Sequence, residues 1–203
     1  MLKYISFFLL LWILAGCNGK PDFRTGDLIF QDLDCELCEA IEGATRGYGG
    51  KPVSHMGVIV VSDSGTYVLE AYDKVQIIPL DSFLKRSPKI MLGRLKKPWR
   101  KHIAGAVKRG MEKLGLPYDA EFKLNNGKYY CSELVYDIFL DAKGRPLFEI
   151  HPMNFKNLQT GVYDSVWTDY FNKLQTAIPQ DEPGCNPAGY SRSGKVEIIY
   201  ATY

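Results

Sequence analysis

Short apolar runs in the first half of the chain predict β-strands, and the clearest pair of runs predicts a hairpin. Residues 55–61 and 66–72 form its two strands, and the polar and glycine positions 62–65 form the turn between them. Further runs predict strands at 28–30, 74–78, 90–95 and 196–200. These segments supply an antiparallel sheet.

Other stretches repeat apolar residues every three or four positions, the spacing of a helix with one buried face. The clearest begins at Cys131 and continues with Leu134, Val135, Ile138 and Phe139. A helix is also predicted at 35–46 with Asp34 as its cap, and a helix entry at 79–84. Near the C-terminus, a short helix is predicted at 166–174.

A longer helix is predicted at 99–114, with Gly115 ending it. Its predicted buried face consists of four residues, which are Ile103, Val107, Met111 and Leu114. No repeat or interdomain linker separates these elements. They predict one α+β domain in which an antiparallel sheet packs against helices.

Composition supports a globular protein and excludes a nucleic-acid binder. The 203 residues are 46% hydrophobic and 24% charged, and the net charge is +2. No group of histidine, cysteine and acidic residues has the spacing of metal ligands, so neither a metal nor another cofactor is predicted.

The N-terminus has the form of an export signal. Lys3 precedes an apolar run at 4–14, too short to span a bilayer, and the run ends in Leu14-Ala15-Gly16-Cys17. This ending resembles the lipobox of bacterial lipoproteins; an ordinary secretory signal is the alternative. The lipobox implies a signal peptide at 1–16, lipidation of Cys17, a tether at 17–22 and one domain at 23–203. The protein is then expected in the cell envelope, anchored to the membrane and facing the periplasm or the surface.

An exported chain can form disulfides. Cys35 and Cys38 are spaced as in a redox motif, but no thioredoxin-like strand and helix precede them. A local disulfide or two packed thiols is favoured, and a redox lipoprotein is a lesser alternative. Cys185 is predicted to lie in a loop.

Cys131 is the candidate nucleophile. At the start of a helix a thiol has its thiolate stabilised, and the thiolate is the reactive form. The chain contains three histidines that can serve as its base. His55 opens an apolar strand and is favoured, whereas His102 and His151 are expected to be exposed or structural.

The hairpin suggests which group orients His55. If Val61 pairs with Thr66, Glu70 lies diagonally beside His55 on the same face of the sheet, within reach of the imidazole. A shift of one residue would place Asp73 on that face instead. Glu70 is therefore the predicted orienting carboxylate, and Asp73 is the second choice.

Several motifs occur in a fixed order along the chain. They are Gly26-Asp27-Leu28-Ile29-Phe30, Ser54-His55-Met56-Gly57-Val58, Glu70, Leu116-Pro117-Tyr118-Asp119, Tyr130-Cys131-Ser132-Glu133-Leu134-Val135 and Pro183-Gly184-Cys185-Asn186-Pro187. The set resembles the permuted papain-like amidases, the YiiX-like branch of the NlpC-type cysteine peptidase superfamily.

The resemblance implies a circularly permuted papain-like fold with Cys131 as nucleophile, His55 as base and Glu70 as orienter. It leaves the oxyanion hole open. The Cys131 backbone N–H is one candidate donor, and Tyr118 and Tyr130 are candidates for a second donor or for the pocket wall.

The expected reaction is hydrolysis of an amide or ester through an acyl-enzyme, with acyl transfer as a variant. Cell-wall peptides and lipid-linked acyl groups are the expected substrates. A non-catalytic binding lipoprotein that keeps the pocket is the alternative function.

Overall fold

The computed structural model describes residues 21–203, so the predicted signal peptide and Cys17 lie outside the described residues. Within 21–203 the chain forms eight strands and six α-helices. The strands β1 to β8 are Leu28–Gln31, His55–Ser62, Gly65–Ala71, Val75–Pro79, Ile90–Leu95, His151–Pro152, Pro183–Gly184 and Val196–Ala201. The helices α1 to α6 are Glu36–Ala44, Leu80–Arg86, Ile103–Glu112, Cys131–Ile138, Ser165–Lys173 and Pro187–Ser191. None of the helices in 21–203 is long and apolar enough to cross a bilayer.

Six strands form one antiparallel sheet in the order β4-β3-β2-β1-β5-β8, and β6 and β7 form a small second sheet. The predicted hairpin register is confirmed, because Val61 pairs with Thr66. The ladder between β2 and β3 ends at the pair Val58–Leu69, although β2 extends back to His55. Beside the start of β2, the two strands are therefore paired with β1 and β4 and not with each other.

Each face of the sheet is covered by a different helix. Alternate strand residues such as Leu28 and Met56 pack with the apolar side of α4 on one face. Their neighbours in sequence, such as Ile29, pack with Leu80 and Phe83 of α2 on the other face. The period-two alternation of strands sends successive side chains to these two layers. The predicted α+β class with helices beside an antiparallel sheet is confirmed.

Two helix predictions are wrong in detail. Cys35, not Asp34, is the N-cap of α1, and its sulfur accepts a hydrogen bond from the Cys38 N–H at 3.1 Å. The predicted helix at 99–114 begins as a 3-10 turn at Lys97–His102 and becomes α3 only at Ile103.

The buried face of α3 also differs from the predicted one. Met111 and Leu114 are 41% and 39% exposed, while Ala106 and Gly110 are buried. A Cβ atom on Gly110 would lie 2.3 Å from Leu69 Cδ2. The helix therefore approaches the sheet through small residues, a contact that hydrophobic periodicity does not indicate.

The cysteines separate into two groups. Cys35 and Cys38 form a disulfide, which confirms the local bridge that the sequence favoured. Cys131 and Cys185 are free and buried. Cys185 lies between β7 and α6, in a loop as predicted, but the loop is packed into the core.

Candidate active site

His55 and Glu70 form a buried pair on the α2 face of the sheet. The His55 Nε2 atom lies 2.7 Å from Glu70 Oε2, and the two residues are 4% and 0% exposed. The contact predicted from the hairpin register is present. Asp73, the alternative carboxylate, lies in an exposed bend beyond β3.

Two further side chains hold Glu70. Arg86, at the end of α2, donates from Nη2 to the same Oε2 atom at 2.6 Å, and Gln76 on β4 donates to Oε1 at 2.8 Å. Burial raises the pKa of Glu70, but hydrogen bonds and charges from His55 and Arg86 outweigh it and leave the pKa below its ordinary value. The carboxylate is therefore anionic and fixed in orientation.

Aromatic rings complete the surroundings of the imidazole. Tyr72 meets the His55 ring edge-on with ring centroids 5.5 Å apart, and Phe83 lies 5.8 Å away. The Arg86 guanidinium lies over the Tyr72 ring at 4.3 Å. With Nε2 bonded to Glu70, Nδ1 is the nitrogen of His55 that can exchange a proton with another group.

Cys131 is the first residue of α4, on the other face of the sheet. The backbone N–H groups of Met56 and Ser132 lie near its sulfur and lower the pKa of the thiol. Met56 directly follows His55, where the β2–β3 ladder has already ended. The sulfur thus lies near β2, the strand that begins with His55.

The protonation state of Cys131 differs from the expectation. Burial raises the pKa of the thiol to about 12, against the lowering effect of the two N–H groups. The predicted stabilised thiolate is wrong, and the resting residue is a thiol. Among residues 21–203, no hydrogen bond joins the Cys131 sulfur to His55.

The two candidate tyrosines differ in what their hydroxyls contact. Tyr130 accepts from the Cys185 N–H at 3.2 Å and lies 3.4 Å from the Cys185 sulfur, so its hydroxyl is engaged away from Cys131. Burial raises the pKa of Tyr118, and Cys131 raises it further. Tyr118 therefore keeps its proton and remains a donor near the sulfur.

A small cavity of about 50 Å³ borders Cys131. Both tyrosines contribute to its wall, which is otherwise mainly apolar and includes Phe122, Phe155 and Trp167. Cys131, Tyr118 and Tyr130 therefore share one pocket, while His55 approaches from the opposite face.

The other two histidines lie elsewhere. His151 is exposed on β6, and His102 ends the 3-10 turn before α3. Neither contributes to the wall of the small cavity beside Cys131.

Sequence reasoning assigned no role at the site to three residues of this region. Arg86 gave no signal, because it is one of two adjacent basic residues in the last turn of a short helix. Cys185 accepts from Ser132 Oγ through its carbonyl at 3.1 Å. Asn186 caps α6 by accepting from the Gly189 N–H at 2.7 Å, and its side chain borders the Cys131 cavity. Asn186 precedes a proline that begins a helix, which is a recognisable capping signal.

The chain is similar to known proteins in sequence and in fold. Residues 22–200 match the family described as permuted papain-like amidase enzyme, YaeF/YiiX, C92 family. The chain is 32% identical over 187 residues to the uncharacterized protein YiiX of Escherichia coli strain K12, covering 87% of this chain and 88% of that protein. The crystal structure of the metalloprotein YiiX from E. coli O157:H7 superposes with a TM-score of 0.74 at 23% identity, covering 89% of this chain and 98% of that one.

Proposed function

The chain belongs to the family of permuted papain-like amidases, and on that premise we propose that it is a cysteine-dependent hydrolase of amides or esters. One observation carries the proposal. The Met56 N–H lowers the pKa of the Cys131 thiol, and the residue before Met56 is a histidine held by a buried carboxylate. Nucleophile, base and orienter are therefore carried by three elements that pack together, which are α4, β2 and β3.

In the proposed mechanism His55 Nδ1 accepts the proton of Cys131 while the sulfur attacks the substrate carbonyl. Because burial raises the pKa of Cys131 to about 12, proton removal accompanies the attack rather than preceding it. His55 then protonates the leaving amine or alcohol, and a water molecule releases the acyl group from the thioester. Glu70 holds the imidazole in one tautomer and stabilises its cation.

Stabilisation of the tetrahedral intermediate is assigned to the start of α4. The Cys131 N–H is one of the first N–H groups of the helix, which lack partners within the helix. We propose that it donates to the oxyanion together with the Tyr118 hydroxyl, which stays protonated because its pKa is raised. Tyr130 is assigned to the pocket wall, since its hydroxyl bonds to Cys185.

The similar YiiX protein from E. coli O157:H7 is described as a metalloprotein. Within residues 21–203 of this chain, no group of three or more histidine, cysteine and acidic side chains is arranged to hold a metal ion. The residues present do not fit such a site, and the mechanism here includes no metal step.

A Cys131→Ala variant tests the proposal. We expect it to lose turnover by at least about a thousandfold, because the nucleophile is removed, and to form no acyl-enzyme detectable by mass spectrometry. Cys185→Ala is the matched control, because it removes the other free buried thiol. Turnover that survives in Cys131→Ala would refute the assignment.

A non-catalytic binding protein is the second candidate. The protonated thiol of Cys131 and its lack of a hydrogen bond to His55 within 21–203 favour it. The two candidates differ in acyl-enzyme formation, which a binding protein does not perform on any amide or ester.

We further propose that the protein is a lipoprotein of the cell envelope, anchored through Cys17 beside peptide and lipid substrates. The apolar run and the sequence preceding Cys17 support this. A Cys17→Ser variant should leave the membrane fraction. If it stays there to the same extent as the unmodified chain, the anchor lies elsewhere.

A further inference from the structure

A small cavity and a much larger groove lie next to each other beside Cys131. The small cavity holds about 50 Å³, whereas a neighbouring groove encloses about 880 Å³. Five residues border both of them. They are Ala44, Thr45, Asn154, Cys185 and Asn186. The groove therefore lies directly beside the cavity at Cys131, with these five residues between them.

The small cavity limits what can be bound next to the sulfur. A water-sized group needs about 10–15 Å³ by this measure, so the cavity admits roughly four such groups. A short apolar side chain or acyl group fits this space, and a long acyl chain does not. The aromatic wall excludes charged groups, because they would lose their hydration without a partner.

The groove carries an excess of positive charge. Its wall includes Arg46, Arg192 and Lys195 against one carboxylate, that of Glu149. Lys195 lies 3.7 Å from Glu149, which is 74% exposed, so this pair is weak. In the part of the chain that the structure describes, Arg46 and Arg192 make no ion pair with an acidic side chain.

Arg46 has a fixed position. Its Nη1 atom donates to the Glu42 carbonyl of α1, which leaves other N–H groups of the guanidinium available toward the groove. Guanidinium groups of this kind suit the paired oxygens of a carboxylate. The groove thus offers an anion site next to a cavity for a small apolar group.

We propose that the substrate is a short amide that combines a small apolar group, bound beside Cys131, with a carboxylate, bound by Arg46, Arg192 and Lys195. This inference rests on the proposed function and names the substrate class for it. An alanine-containing acidic peptide has this chemistry. A long acyl chain does not fit beside the sulfur, because the cavity there holds only about 50 Å³.

Matched peptides test the inference. Acetylated Ala-Glu-Ala and Glu-Ala-Ala amides are compared with their glutamine counterparts, and cleavage is followed by mass spectrometry. We expect the glutamate peptides to be cleaved with kcat/KM about tenfold higher, an advantage that falls at high salt. A variant carrying Arg192→Gln and Lys195→Gln should lose this preference through KM, while Lys101→Gln, an exposed lysine outside the groove, should keep it.

Binding to the Cys131→Ala variant separates this inference from the proposed function. Tighter binding of glutamate peptides to this variant by calorimetry, without turnover by the native chain, would retain the substrate class and reject the hydrolase. Equal binding of glutamate and glutamine peptides, or preferred cleavage of N-palmitoyl-alanine amide, would overturn the inference and leave the hydrolase intact.

Discussion

Cys131 shows two opposing effects on one residue. The start of a helix stabilises an anion by about 0.3–2 kcal/mol. Burial of a charged group can shift its pKa by up to about 3–5 units, and each unit corresponds to about 1.4 kcal/mol. Burial therefore wins, and the pKa of the thiol rises to about 12. The helix start was predictable from the sequence, but the depth of burial required the folded structure.

Arg86 shares the Glu70 Oε2 atom with His55, and we predict that it sets the lower pH limit of activity. In Arg86→Met, the pKa of Glu70 loses a cation that lowers it and should rise. The acidic limb of the kcat/KM profile is then expected to move up by about one pH unit. Arg86→Lys should move it less, because a charge remains.

Lys85→Met, which removes the exposed neighbouring cation, provides the control for Arg86→Met. Its profile should coincide with that of the native chain. If Arg86→Met lowers activity equally at every pH, Arg86 has only a structural role.

Glu42 on α1 is expected to make stability depend on pH. Burial raises its pKa from 4.5 to about 7, and its Oε1 atom has no hydrogen-bond partner. Between these values the folded state binds the proton and the unfolded state does not, so the free energy of unfolding falls as pH rises from about 4.5 to 7.

Glu42→Gln removes this titration. We expect the variant to be more stable than the native chain by about 1–3 kcal/mol at pH 8 and nearly unchanged at pH 4.5, measured by urea unfolding. Glu39→Gln, on the exposed side of the same helix, should change little at either pH. A gain that is the same at both pH values would contradict the assignment.

At the scale of single elements, sequence patterns were accurate where a local rule applied. The hairpin register followed from a short turn, and it placed Glu70 beside His55 correctly. The buried side of α3 was not predictable, because hydrophobic residues indicate packing at a normal distance. Gly110 instead allows the helix to approach Leu69 closely.

Two glycines of α3 allow a matched test of that contact. In Gly110→Ala the new Cβ would lie 2.3 Å from Leu69 Cδ2. Leu69 is fully buried, so its side chain cannot move aside freely. We expect destabilisation by about 1–3 kcal/mol despite the better helix propensity of alanine.

Gly105→Ala should instead be neutral or stabilising by up to about 1 kcal/mol, because its new Cβ meets only the flexible end of Arg109, at 3.2 Å. Thermal or urea unfolding of both variants gives the comparison. Equal stability of the two would mean that α3 can move away from the sheet at no cost.

The arrangement of the whole molecule was less accessible from the sequence. The hairpin pattern gave the pair β2–β3, but the pairs β1–β5 and β5–β8 join segments that no local pattern connects. The placement of α2 and α4 on opposite faces is equally non-local. For the same reason Arg86, on α2, was not predicted beside Glu70.

The order of the site along the chain has a consequence for biosynthesis. The strands that carry His55 and Glu70 are made before the helix that carries Cys131. At about 5–20 residues per second, the roughly 60 residues from Glu70 to Cys131 take several seconds to synthesise. Throughout that interval the nascent chain carries the candidate base and carboxylate without Cys131, so the proposed site is completed only when α4 has been made.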